Sequence, residues 1–411
     1  MPNFQLPDSV FEQAARQFPT PFFLYDEAGI RAAIRELRDA FSWAPHFMEY
    51  FAVKALPNPH ILKLFVEEGF GLDCASECEL LMADRVGAQG RIMFSANNVP
   101  AGEFAHATRL GAILNLDDIS HIDQVLAECG QLPETISMRL NPGGGFMSDN
   151  AIIGKPEESK YGWTVAQMHE GLKRMKALGV KKFGIHALLA SNAQENGYYP
   201  ALAELLMQTA YDLADASGVA PAFVNLSGGV GIPYRPDEPG PSIPLIGEGV
   251  EKAYRRIFGA PTDNNVGVCA ELGRHMTGPH GWLVTRAIHH KDTYRRYIGV
   301  DGCTGQLPRP AIYGAYHHIS VVGKRDAAHT EVYDVVGSLC ENSDKFAVQR
   351  PLPPIENGDI LLVHDAGAHC YAMSHNYNGR LRCAEILRKE DGSLQMIRRA
   401  ERPEDYFATL L

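Results

Sequence analysis

The sequence lacks several features that define whole classes of protein. No apolar run in its 411 residues approaches the roughly 20 residues that a membrane-spanning helix needs. The opening residues MPNFQLPDSVFEQAARQFPTP do not have the charged-then-apolar order of a secretory signal. No block of lysine and arginine is longer than a dipeptide, and the net charge is -11, which argues against nucleic acid or an anionic membrane as the main partner. We therefore expect a cytoplasmic globular protein with neither of these partners.

Cysteine is also sparse, and its positions form no recognisable framework. The eight cysteines are scattered, and Cys74 and Cys78 have no second pair at the spacing of a zinc site. Reduced thiols are therefore expected rather than disulfides or metal ligands. The adjacent histidines at 289–290 and 317–318 point to opposite faces of a strand, so neither pair can easily ligate one ion. No metal site is predicted.

The sequence does contain a regular alternation of two patterns from residue 46 onward. Short apolar runs, each followed by a turn and a helical pattern, predict eight strands: HFMEYFAV, GLDCA, RIMFSA, AILNLD, TISMRL, FGIHALL, FVNLSGG and VGVCAEL. One intervening helix begins with Ser76 and Glu79 at capping-box spacing. Eight alternating βα units predict a (β/α)8 TIM barrel of parallel strands. A doubly wound sheet is the alternative, because strand order cannot be deduced from sequence.

The pattern changes after about residue 280. Aromatic and β-branched runs such as GWLVTRAIHH and EVYDVVG, separated by Gly and Pro turns, predict an all-β domain. We expect a barrel over residues 33–280 and a β-rich C-terminal domain over 281–411, which the N-terminal segment 1–32 joins. The stretch 141–163 has no secondary-structure pattern. It is either a mobile lid over a site or a surface insertion.

Polar residues follow the predicted strands at the face where barrels build their active sites. Lys54 ends the first strand, in FAVKALPNP, where desolvating an ammonium group would be costly unless the charge is neutralised or used. The alternative is a lysine whose head group escapes to solvent at the strand end. The other strand ends carry Asp73, Arg139, Ser191, Ser227 to Gly231, Glu271 and Arg274. Each of these residues alone could be a core polar group with a satisfied partner. Because the carboxyl ends of parallel barrel strands share one face, we expect them to form one site.

The glycine run LSGGVGIPY, residues 226–234, follows the seventh predicted strand. Its backbone N–H groups could surround a phosphate, although a tight turn would explain the glycines as well. Arg274, a bidentate partner for phosphate, favours the phosphate site. A phosphate site, the lysine Lys54 and the carboxylate Glu271 on one rim indicate pyridoxal 5'-phosphate, which a lysine binds as a Schiff base.

At these residues the chain resembles a known family, the fold type III pyridoxal-phosphate decarboxylases, and most closely the diaminopimelate decarboxylases. The motifs that carry the resemblance are FAVKALPNP, GLDCASECEL, SGGVGIPY, AELGR, RPAIYGAYHH, SLCENSDKFA and AGAHCYAMSHNYNGRLR. They occur in one order across nearly the whole length. The resemblance therefore implies both the barrel and the second, β-rich domain.

The resemblance also implies the roles of individual residues. Lys54, Glu271 and Cys340 are the implied catalytic residues: Lys54 binds the cofactor, Glu271 pairs with the pyridine nitrogen, and Cys340 donates a proton. The implied cofactor-binding residues are Lys54, Asp73, Arg139, His186, Ser191, Ser227, Gly228, Gly229, Gly231, Glu271, Gly273, Arg274 and Tyr371. The implied substrate-binding residues are Arg309, Tyr313, Glu341 and Tyr377. Cys340 and Glu341 would come from the partner subunit, which implies a head-to-tail homodimer with two shared sites.

Three positions depart from the pattern of this family. Leu188 stands where the family has a histidine stacked on the cofactor ring, and His186, two residues earlier, could partly substitute for it or leave Leu188 to pack there. His369 replaces the tyrosine of a Gly-Ala-Tyr segment that reaches the phosphate. Ser227 replaces the first glycine of the phosphate loop. These departures bear on the substrate more than on the cofactor.

The function expected from the resemblance is pyridoxal-phosphate-dependent decarboxylation of meso-diaminopimelate at its D-centre to L-lysine, the last step of lysine biosynthesis. One alternative is a decarboxylase of another diamino acid or of a carboxylated polyamine precursor. Another is a non-catalytic regulator that keeps the fold, against which the retention of Lys54, Cys340 and Glu271 argues. The expected selectivity depends on Arg309, which can bind a distal carboxylate through two parallel N–H bonds.

Overall fold

The protein is described by a computed structural model that covers residues 6–145 and 155–411. The chain divides into two compact units. The barrel unit consists of Ile34–Ile232 and Gly240–Gly273. The β-rich unit consists of the described residues up to Ala33, with Pro233–Pro239 and Arg274–Leu411. The boundary between the barrel unit and the C-terminal part of the β-rich unit falls at 273/274, whereas the sequence pattern placed it at 280/281. The sequence did not indicate that Pro233–Pro239 belong to the β-rich unit.

The barrel unit contains eight parallel strands that close on themselves. Numbered in chain order through both units, they are β2 (Met48–Ala52), β3 (Gly71–Cys74), β4 (Ile92–Phe94), β5 (Ile113–Leu116), β6 (Thr135–Arg139), β7 (Lys182–His186), β8 (Ala220–Asn225) and β9 (Gly267–Ala270). Each strand pairs with the next, and β2 pairs with β9 to close the barrel. The predicted (β/α)8 barrel is therefore confirmed, and the doubly wound alternative is wrong.

Helices connect these strands. They are α3 (Pro59–Glu67), α4 (Glu77–Arg85), α5 (Glu103–Arg109), α6 (His121–Cys129), α7 (Val165–Ala177), α8 (Tyr198–Ser217) and α9 (Ile243–Phe258). Their starts follow local capping chemistry. Asn58 accepts a hydrogen bond from the N–H of His60 and precedes a proline at the first position of α3. Ser76 accepts from the N–H of Glu79, as the capping-box spacing predicts.

The strands of the barrel are buried on both faces, because one face meets the interior and the other meets the helices. Tyr50, Met93, Phe223 and Cys269, from four different strands, pack together in one cluster. Phe51, next to Tyr50 in β2, points the other way and stacks on a phenylalanine of α3 with ring centroids 4.0 Å apart. The polar residues at the strand ends are therefore held on a closely packed scaffold.

The β-rich unit is built on one nine-stranded sheet. Its strands are β1 (Phe22–Asp26), β10 (Gly281–Asp292), β11 (Arg296–Val300), β12 (Ile319–Val321), β13 (Glu331–Val336), β14 (Lys345–Leu352), β15 (Ile360–Val363), β16 (Ala384–Arg388) and β17 (Leu394–Arg398). The main order is β14-β13-β11-β10-β1-β16-β17, with β15 paired to both β10 and β12. Most pairs are antiparallel, and β1 lies between β10 and β16. The predicted all-β second domain is confirmed in its fold class.

The N-terminal segment contributes to the core of the β-rich unit. Phe22 and Leu24 of β1 are fully buried in the same apolar cluster as Trp282 and Ile386. The preceding helix, α1 (Asp8–Gln17), places Phe11 edge-on against Trp282 with ring centroids 5.4 Å apart. The remaining helices are α2 (Glu27–Ala40), α10 (Arg274–Thr277), α11 (Arg309–Tyr313) and α12 (Pro403–Phe407). No helix in the described part of the chain combines the length and apolar character needed to cross a bilayer.

Candidate active site

Lys54 lies in a short 3-10 turn, Val53–Ala55, directly after β2. Its Nζ is 4.0 Å from Oδ2 of Asp73 in β3, and half of its side chain is exposed, at 51%. The ammonium group is therefore only partly desolvated and can be reached from solvent, which agrees with the alternative of a lysine whose head group escapes to solvent at the strand end. Burial and the nearby Glu271 carboxylate raise the pKa of Asp73 above its usual range, while Lys54 lowers it in part.

Glu271 follows β9 and is almost completely buried. Four side chains donate hydrogen bonds to its carboxylate. Asn225 Nδ2 is 2.7 Å and Ser95 Oγ 3.4 Å from Oε1, and Ser227 Oγ is 2.9 Å and His186 Nε2 3.1 Å from Oε2. Each carboxylate oxygen thus accepts two hydrogen bonds, from donors on strands β4, β7 and β8 or the residues that follow them.

These donors determine the charge of Glu271. Burial alone would raise its pKa, but the His186 imidazole, Lys54 and the Ser227 hydroxyl outweigh burial and lower the pKa to about 2. Glu271 is therefore ionised at every pH at which the protein would be studied. Because a carboxylate can only accept, the Nε2 of His186 carries a proton. Among the described residues no group hydrogen-bonds the Nδ1 of His186 or the Oδ1 of Asp73.

The loop from Ser227 to Gly231 has no room for further side chains. A Cβ at Gly228 would lie 2.8 Å from the Glu271 carbonyl oxygen, and one at Gly229 would lie 2.8 Å from that of Ala190. Gly229 also has a φ of +112°, and Ser227 has a φ of +55°, in the left-handed region that favours glycine. Ser227 therefore adopts a backbone conformation that favours glycine. The result is a bare backbone cradle at the end of β8.

This cradle is tied to the segment that carries Ser191. The N–H of Ala193 donates to the carbonyl of Gly229, and the N–H of Gly231 donates to the carbonyl of Ala193, both at 2.8 Å. Gly273 provides a third close approach, because a Cβ there would lie 2.7 Å from the Cβ of Ala55, beside Lys54. The strand end that carries Glu271 is thus packed directly against the turn that carries Lys54.

Arg139 ends β6 and lines a small pocket. Its Nη1 is 3.3 Å from Oδ1 of Asp117, and its guanidinium lies 4.2 Å over the ring centroid of Tyr161. The same pocket is lined by Leu188, which is half-buried. His186 contacts Glu271 through its Nε2, and whether His186 or Leu188 packs on the cofactor ring stays a prediction. Residues 146–154 of the segment 141–163, for which the sequence left a lid or a surface insertion open, lie outside the described residues. In the described part of this segment, Asn141 Nδ2 donates hydrogen bonds to the carbonyl oxygens of residues 156 and 161.

Two arginines with predicted roles lie in the β-rich unit around one tyrosine, Tyr234. Arg274 opens α10 and donates from Nη1 to the Tyr234 hydroxyl. Arg309 opens α11, is buried, and lies 4.5 Å over the Tyr234 ring. Its Nη1 is 2.8 Å from Nε2 of His317. The sequence indicated neither Tyr234 nor His317 as a functional residue.

The remaining predicted residues are mostly exposed on loops of the β-rich unit. Cys340, Glu341, Tyr313 and Tyr377 are all accessible to solvent. The loop that carries Cys340 is braced by Asp344, whose Oδ2 accepts from the N–H at 339 at 2.7 Å and whose Oδ1 accepts from Thr304. The N–H of Cys340 donates to the side chain of Asn378 at 2.7 Å. The cysteine is therefore held in place while its thiol remains exposed.

Tyr371 and His369 lie in the C-terminal segment of the same unit. Tyr371 is buried, packs edge-on against Phe23, and has the guanidinium of Arg398 at 4.7 Å from its ring centroid. His369, which replaces a tyrosine of the family pattern, is partly exposed and has a φ of +56°. These contacts do not assign either residue to a ligand.

Several residues of the site were missed by the sequence analysis. Ser95, Asp117 and Asn225 all lie at or just beyond the carboxyl ends of barrel strands and contact a residue that was predicted. Each is a polar residue that interrupts an apolar run, which is the signal that would have found it. Tyr234 and His317 carry no such signal, because loops are generally polar.

The barrel unit fits pyridoxal phosphate on its own residues. It holds an accessible lysine beside Asp73, a buried carboxylate that keeps its charge, and a glycine-rich loop in which an added Cβ would clash with neighbouring backbone. A closed barrel with these groups at the carboxyl ends of its strands defines a pyridoxal-phosphate enzyme of the TIM-barrel type. Among residues 6–145 and 155–411, no three His, Cys, Asp or Glu side chains are arranged to hold a metal ion.

Comparison with known proteins gives the family. Residues 27–278 match the family model for the pyridoxal-binding domain of pyridoxal-dependent decarboxylases. The protein TabA of Pseudomonas amygdali pv. tabaci, whose name states no reaction, is 38% identical over 97% of this chain and 92% of its own. The diaminopimelate decarboxylase of Methanothermobacter thermautotrophicus is 34% identical over 95% of this chain and 91% of its own. The chain belongs to the pyridoxal-dependent decarboxylase family.

Solved structures agree with this assignment. Diaminopimelate decarboxylase from Helicobacter pylori, complexed with L-lysine, superposes with a TM-score of 0.86 at 26% identity, over 97% of this chain and 98% of the other. The enzyme from M. jannaschii, also with L-lysine, gives a TM-score of 0.88 at 25% identity, over 98% and 94%. The expectations of an amino-acid decarboxylase and of pyridoxal phosphate as its cofactor are thereby confirmed.

Proposed function

We propose that this enzyme decarboxylates meso-diaminopimelate at its D-centre, giving L-lysine and CO2 as the last step of lysine biosynthesis. The observation that carries the reaction class is the buried, ionised Glu271, packed beside the turn of Lys54. The substrate is supported by the diaminopimelate decarboxylases that match nearly the whole chain. Arg309 adds a buried guanidinium suited to a second carboxylate.

When bound through Lys54, pyridoxal phosphate supplies an electron sink for the pair of electrons that remains when CO2 leaves. The residues of this chain would bind and orient the cofactor. Glu271, which stays charged, stabilises a proton on the pyridine nitrogen, and Asp73 lies beside the Lys54 ammonium group. The backbone cradle from Ser227 to Gly231, together with Gly273, Ser191 and Arg274, would hold the phosphate, and Arg139, His186 and Tyr371 would flank the cofactor.

Cys340 is the proposed proton donor. The carbon that loses CO2 must receive one proton from a defined face, and an exposed thiol on a braced loop can deliver it. We assign this thiol, with Glu341, to the site of the neighbouring subunit, so the active unit is a head-to-tail homodimer with two shared sites. The cytoplasm stays the predicted location of this enzyme.

Selectivity would depend on the far end of the substrate. Diaminopimelate carries a second amino-acid centre that lysine and ornithine lack. Arg309 would bind its carboxylate, Glu341 its ammonium group, and Tyr313 and Tyr377 would add hydroxyl contacts. A substrate without these groups leaves the arginine and the glutamate unpaired, which costs binding and turnover.

The test is steady-state CO2 release on a panel of substrates: meso-diaminopimelate, L-lysine, L-ornithine and a carboxylated polyamine precursor. We expect kcat/KM for meso-diaminopimelate to exceed the others by at least about 10³-fold, the scale found when polar groups of a site are left unpaired. The panel is wide because Leu188 and His369 depart from the family pattern. Faster turnover of any other compound would refute the proposed substrate, although a decarboxylase would remain.

A further inference from the structure

The β-rich unit contains a chain of hydrogen bonds that ends on Arg309. His317 is fully buried, and its Nδ1 lies 2.7 Å from the carbonyl oxygen of His364. A carbonyl oxygen can only accept a hydrogen bond, so Nδ1 must carry the proton. Nε2 of the same ring lies 2.8 Å from Nη1 of Arg309. A guanidinium can only donate, so Nε2 must present its lone pair.

These two contacts require one form of the imidazole. A protonated ring would direct an N–H at the guanidinium, and the other neutral tautomer would do the same while facing the carbonyl with a lone pair. Burial, followed by the charge of Arg309, lowers the pKa of His317 to about 3, in agreement with a neutral ring. The other groups in electrostatic reach are Arg274 and Arg350, whose positive charges act in the same direction.

The carbonyl that holds His317 is itself anchored. The side chain of His364 accepts from the indole N–H of Trp282 at 3.2 Å and lies 2.7 Å from the hydroxyl of Ser320 through its other nitrogen. Both Trp282 and Ser320 belong to strands of the sheet. The chain from sheet to His364, to His317, to Arg309 therefore consists of short contacts between buried or half-buried groups.

Arg309 is thus held at two places. Its Nη1 donates to His317, and its planar face lies over the ring of Tyr234 at 4.5 Å. A guanidinium has five N–H donors in a rigid fork, and the bond to His317 uses one of them. A carboxylate that binds two parallel N–H groups requires the plane of the fork to have a defined orientation. Without these two contacts, the last bonds of the Arg309 side chain could rotate. The guanidinium would then spend less time in the orientation that binds a carboxylate through two N–H groups.

We propose that His317 is a positioning residue for substrate selection, whose Nδ1–H tautomer accepts from Arg309 and orients its guanidinium for the distal carboxylate of the substrate. This inference rests on the proposed function, because it takes Arg309 as the group that binds that carboxylate. His317 itself does not touch the substrate. Its removal should therefore raise KM for a substrate with a distal carboxylate and leave the chemical step nearly unchanged.

Two substitutions separate the two hydrogen bonds of His317. His317→Gln can place an amide oxygen near the position of Nε2 and keep an acceptor for Arg309. His317→Asn can place an amide nitrogen near the position of Nδ1 and keep the bond to His364, but it cannot reach Arg309. We expect His317→Asn to raise KM for meso-diaminopimelate about tenfold or more, the scale for losing a hydrogen bond to a charged group. We expect His317→Gln to restore most of the affinity at nearly unchanged kcat.

The adjacent histidine offers a matched control. His318 is half-buried, and its ring packs beside that of His364 at 5.0 Å. His318→Asn should leave KM unchanged. Turnover of L-lysine, which has no distal carboxylate, should be equally slow in wild type and in His317→Asn. If His317→Asn lowers kcat/KM for both substrates by one factor, or if His317→Gln is as impaired as His317→Asn, the positioning role is refuted.

Arg309→Lys, measured alone and combined with His317→Asn, distinguishes this inference from the proposed function. If Arg309→Lys leaves KM for meso-diaminopimelate unchanged, the assignment of Arg309 to the distal carboxylate fails. If Arg309→Lys raises KM and the two effects simply add in the double variant, only the role of His317 fails. We expect the second substitution to have little further effect, because both act on one fork.

The tautomer can be tested without any variant or activity. In protein labelled with ¹⁵N-histidine, two-bond ¹H–¹⁵N correlations assign the protonated nitrogen of each imidazole. We expect His317 to show a protonated Nδ1 and an unprotonated Nε2 from pH 5 to pH 8. A protonated Nε2 in this range would overturn the proposal whatever the substrate of the enzyme is.

Discussion

Glu271 keeps its negative charge although it is almost completely buried, because His186, Lys54 and the Ser227 hydroxyl outweigh the effect of burial on its pKa. Lys54, by contrast, keeps half of its side chain in solvent. The two groups that would act on opposite parts of the cofactor thus have opposite environments. A buried carboxylate retains its charge at working pH, and an accessible amine can exchange its proton and react.

The first prediction concerns Lys54. Lys54→Ala should abolish the visible absorption of protein-bound pyridoxal phosphate after dialysis, because the covalent attachment point is lost. Lys63→Ala is the matched control, since Lys63 lies in the neighbouring helix α3 with its side chain exposed. Absorption spectra of both variants check this. A Lys54→Ala protein that still forms a borohydride-reducible adduct would refute the assignment.

The second prediction concerns Cys340. Cys340→Ala should lower kcat by about 10²-fold or more, the usual effect of losing a general acid, while cofactor absorption is retained. Cys78→Ala is the control, because Cys78 is also an exposed free cysteine but lies in the barrel unit. Turnover and spectra of both variants are compared with wild type. Unchanged turnover in Cys340→Ala would exclude this thiol as the proton donor.

At the scale of elements, the site depends on close backbone approaches between loops. The segment from Ser227 to Gly231 is bonded to Ala193 on one side, and the N–H of Glu271 donates to the carbonyl of Ser227 at 2.7 Å. Ser227 adopts a left-handed conformation, and its hydroxyl donates to Glu271. Ser227 therefore contributes a side-chain hydrogen bond that a glycine could not make, from a backbone conformation that favours glycine.

The third prediction tests the cradle. Gly229→Ala should destabilise the protein more than Gly179→Ala, by at least about 1 kcal/mol, and should weaken cofactor retention. Both glycines have φ near +100°, at +112° and +97°. A Cβ at Gly229 would meet the Ala190 carbonyl at 2.8 Å, whereas at Gly179 it would meet nothing within 4 Å. The difference between the free energies of unfolding of the two variants, measured with denaturant, gives the cost of the clash at Gly229. Equal losses of stability in both variants would contradict this prediction.

At the scale of the whole molecule, the proposed dimer makes a fourth prediction. If each site combines Lys54 of one subunit with Cys340 of the other, mixing inactive Lys54→Ala and Cys340→Ala proteins restores one intact site in each heterodimer. Half of the dimers in an equal mixture are heterodimers, so about a quarter of wild-type activity should return. Activity is measured after the subunits are allowed to exchange. No recovery in a mixture with demonstrated heterodimers would exclude shared sites.

Histidines with a lowered pKa are concentrated in the β-rich unit, although burial also lowers the pKa of His121 in the barrel unit. In the β-rich unit, burial lowers the pKa of His280 and His318 to about 4, that of His317 to about 3, and that of His364 well below its usual value. In the barrel unit, burial raises the pKa of Glu49 and Asp73 well above the usual range. The histidines bind fewer protons in the folded state than in the unfolded state, and the carboxyls bind more.

The fifth prediction follows from the sign of this difference. Stability rises with pH wherever the unfolded state binds more protons. Between about pH 6.5 and pH 4 the unfolded histidines are protonated and the folded ones are not, so acidification should destabilise the β-rich unit, by about 1 kcal/mol or more per histidine. Asp365, whose pKa is raised to about 7 by burial, opposes this destabilisation of the β-rich unit in part. The two barrel carboxyls, whose pKa is raised by burial, bind more protons in the folded than in the unfolded state, so acidification acts on them in the stabilising direction.

Hydrogen exchange at pH 7 and pH 5.5, corrected for the intrinsic pH dependence of exchange, resolves the two units. Protection should fall in strands β10, β12 and β15 relative to strands β2, β3 and β9. Substituting His364 by Gln, which cannot become protonated, should reduce the loss in the β-rich unit. A uniform change along the whole chain would contradict the opposite contributions.

Local features of the sequence were sufficient for much of the fold. The alternation of apolar runs and helical patterns predicted all eight barrel strands within a few residues, because burial on both faces imposes that pattern. The cap at Ser76 and the strand-end positions of Lys54 and Glu271 follow from the same short-range regularities. The resemblance of the motifs then indicated the family, which the comparisons confirm.

The tertiary structure alone decided what these residues contact. The insertion of β1 between β10 and β16 pairs strands far apart in the chain, which no local pattern specifies. The four donors to Glu271 come from three separate places in the sequence, at Ser95, at His186, and at Asn225 with Ser227, so no local pattern indicated that His186 contacts this carboxylate. The bond from His317 to Arg309 has the same origin. Periodicity reflects the burial of a residue, whereas its partners depend on how distant segments pack, so only the folded chain assigns them.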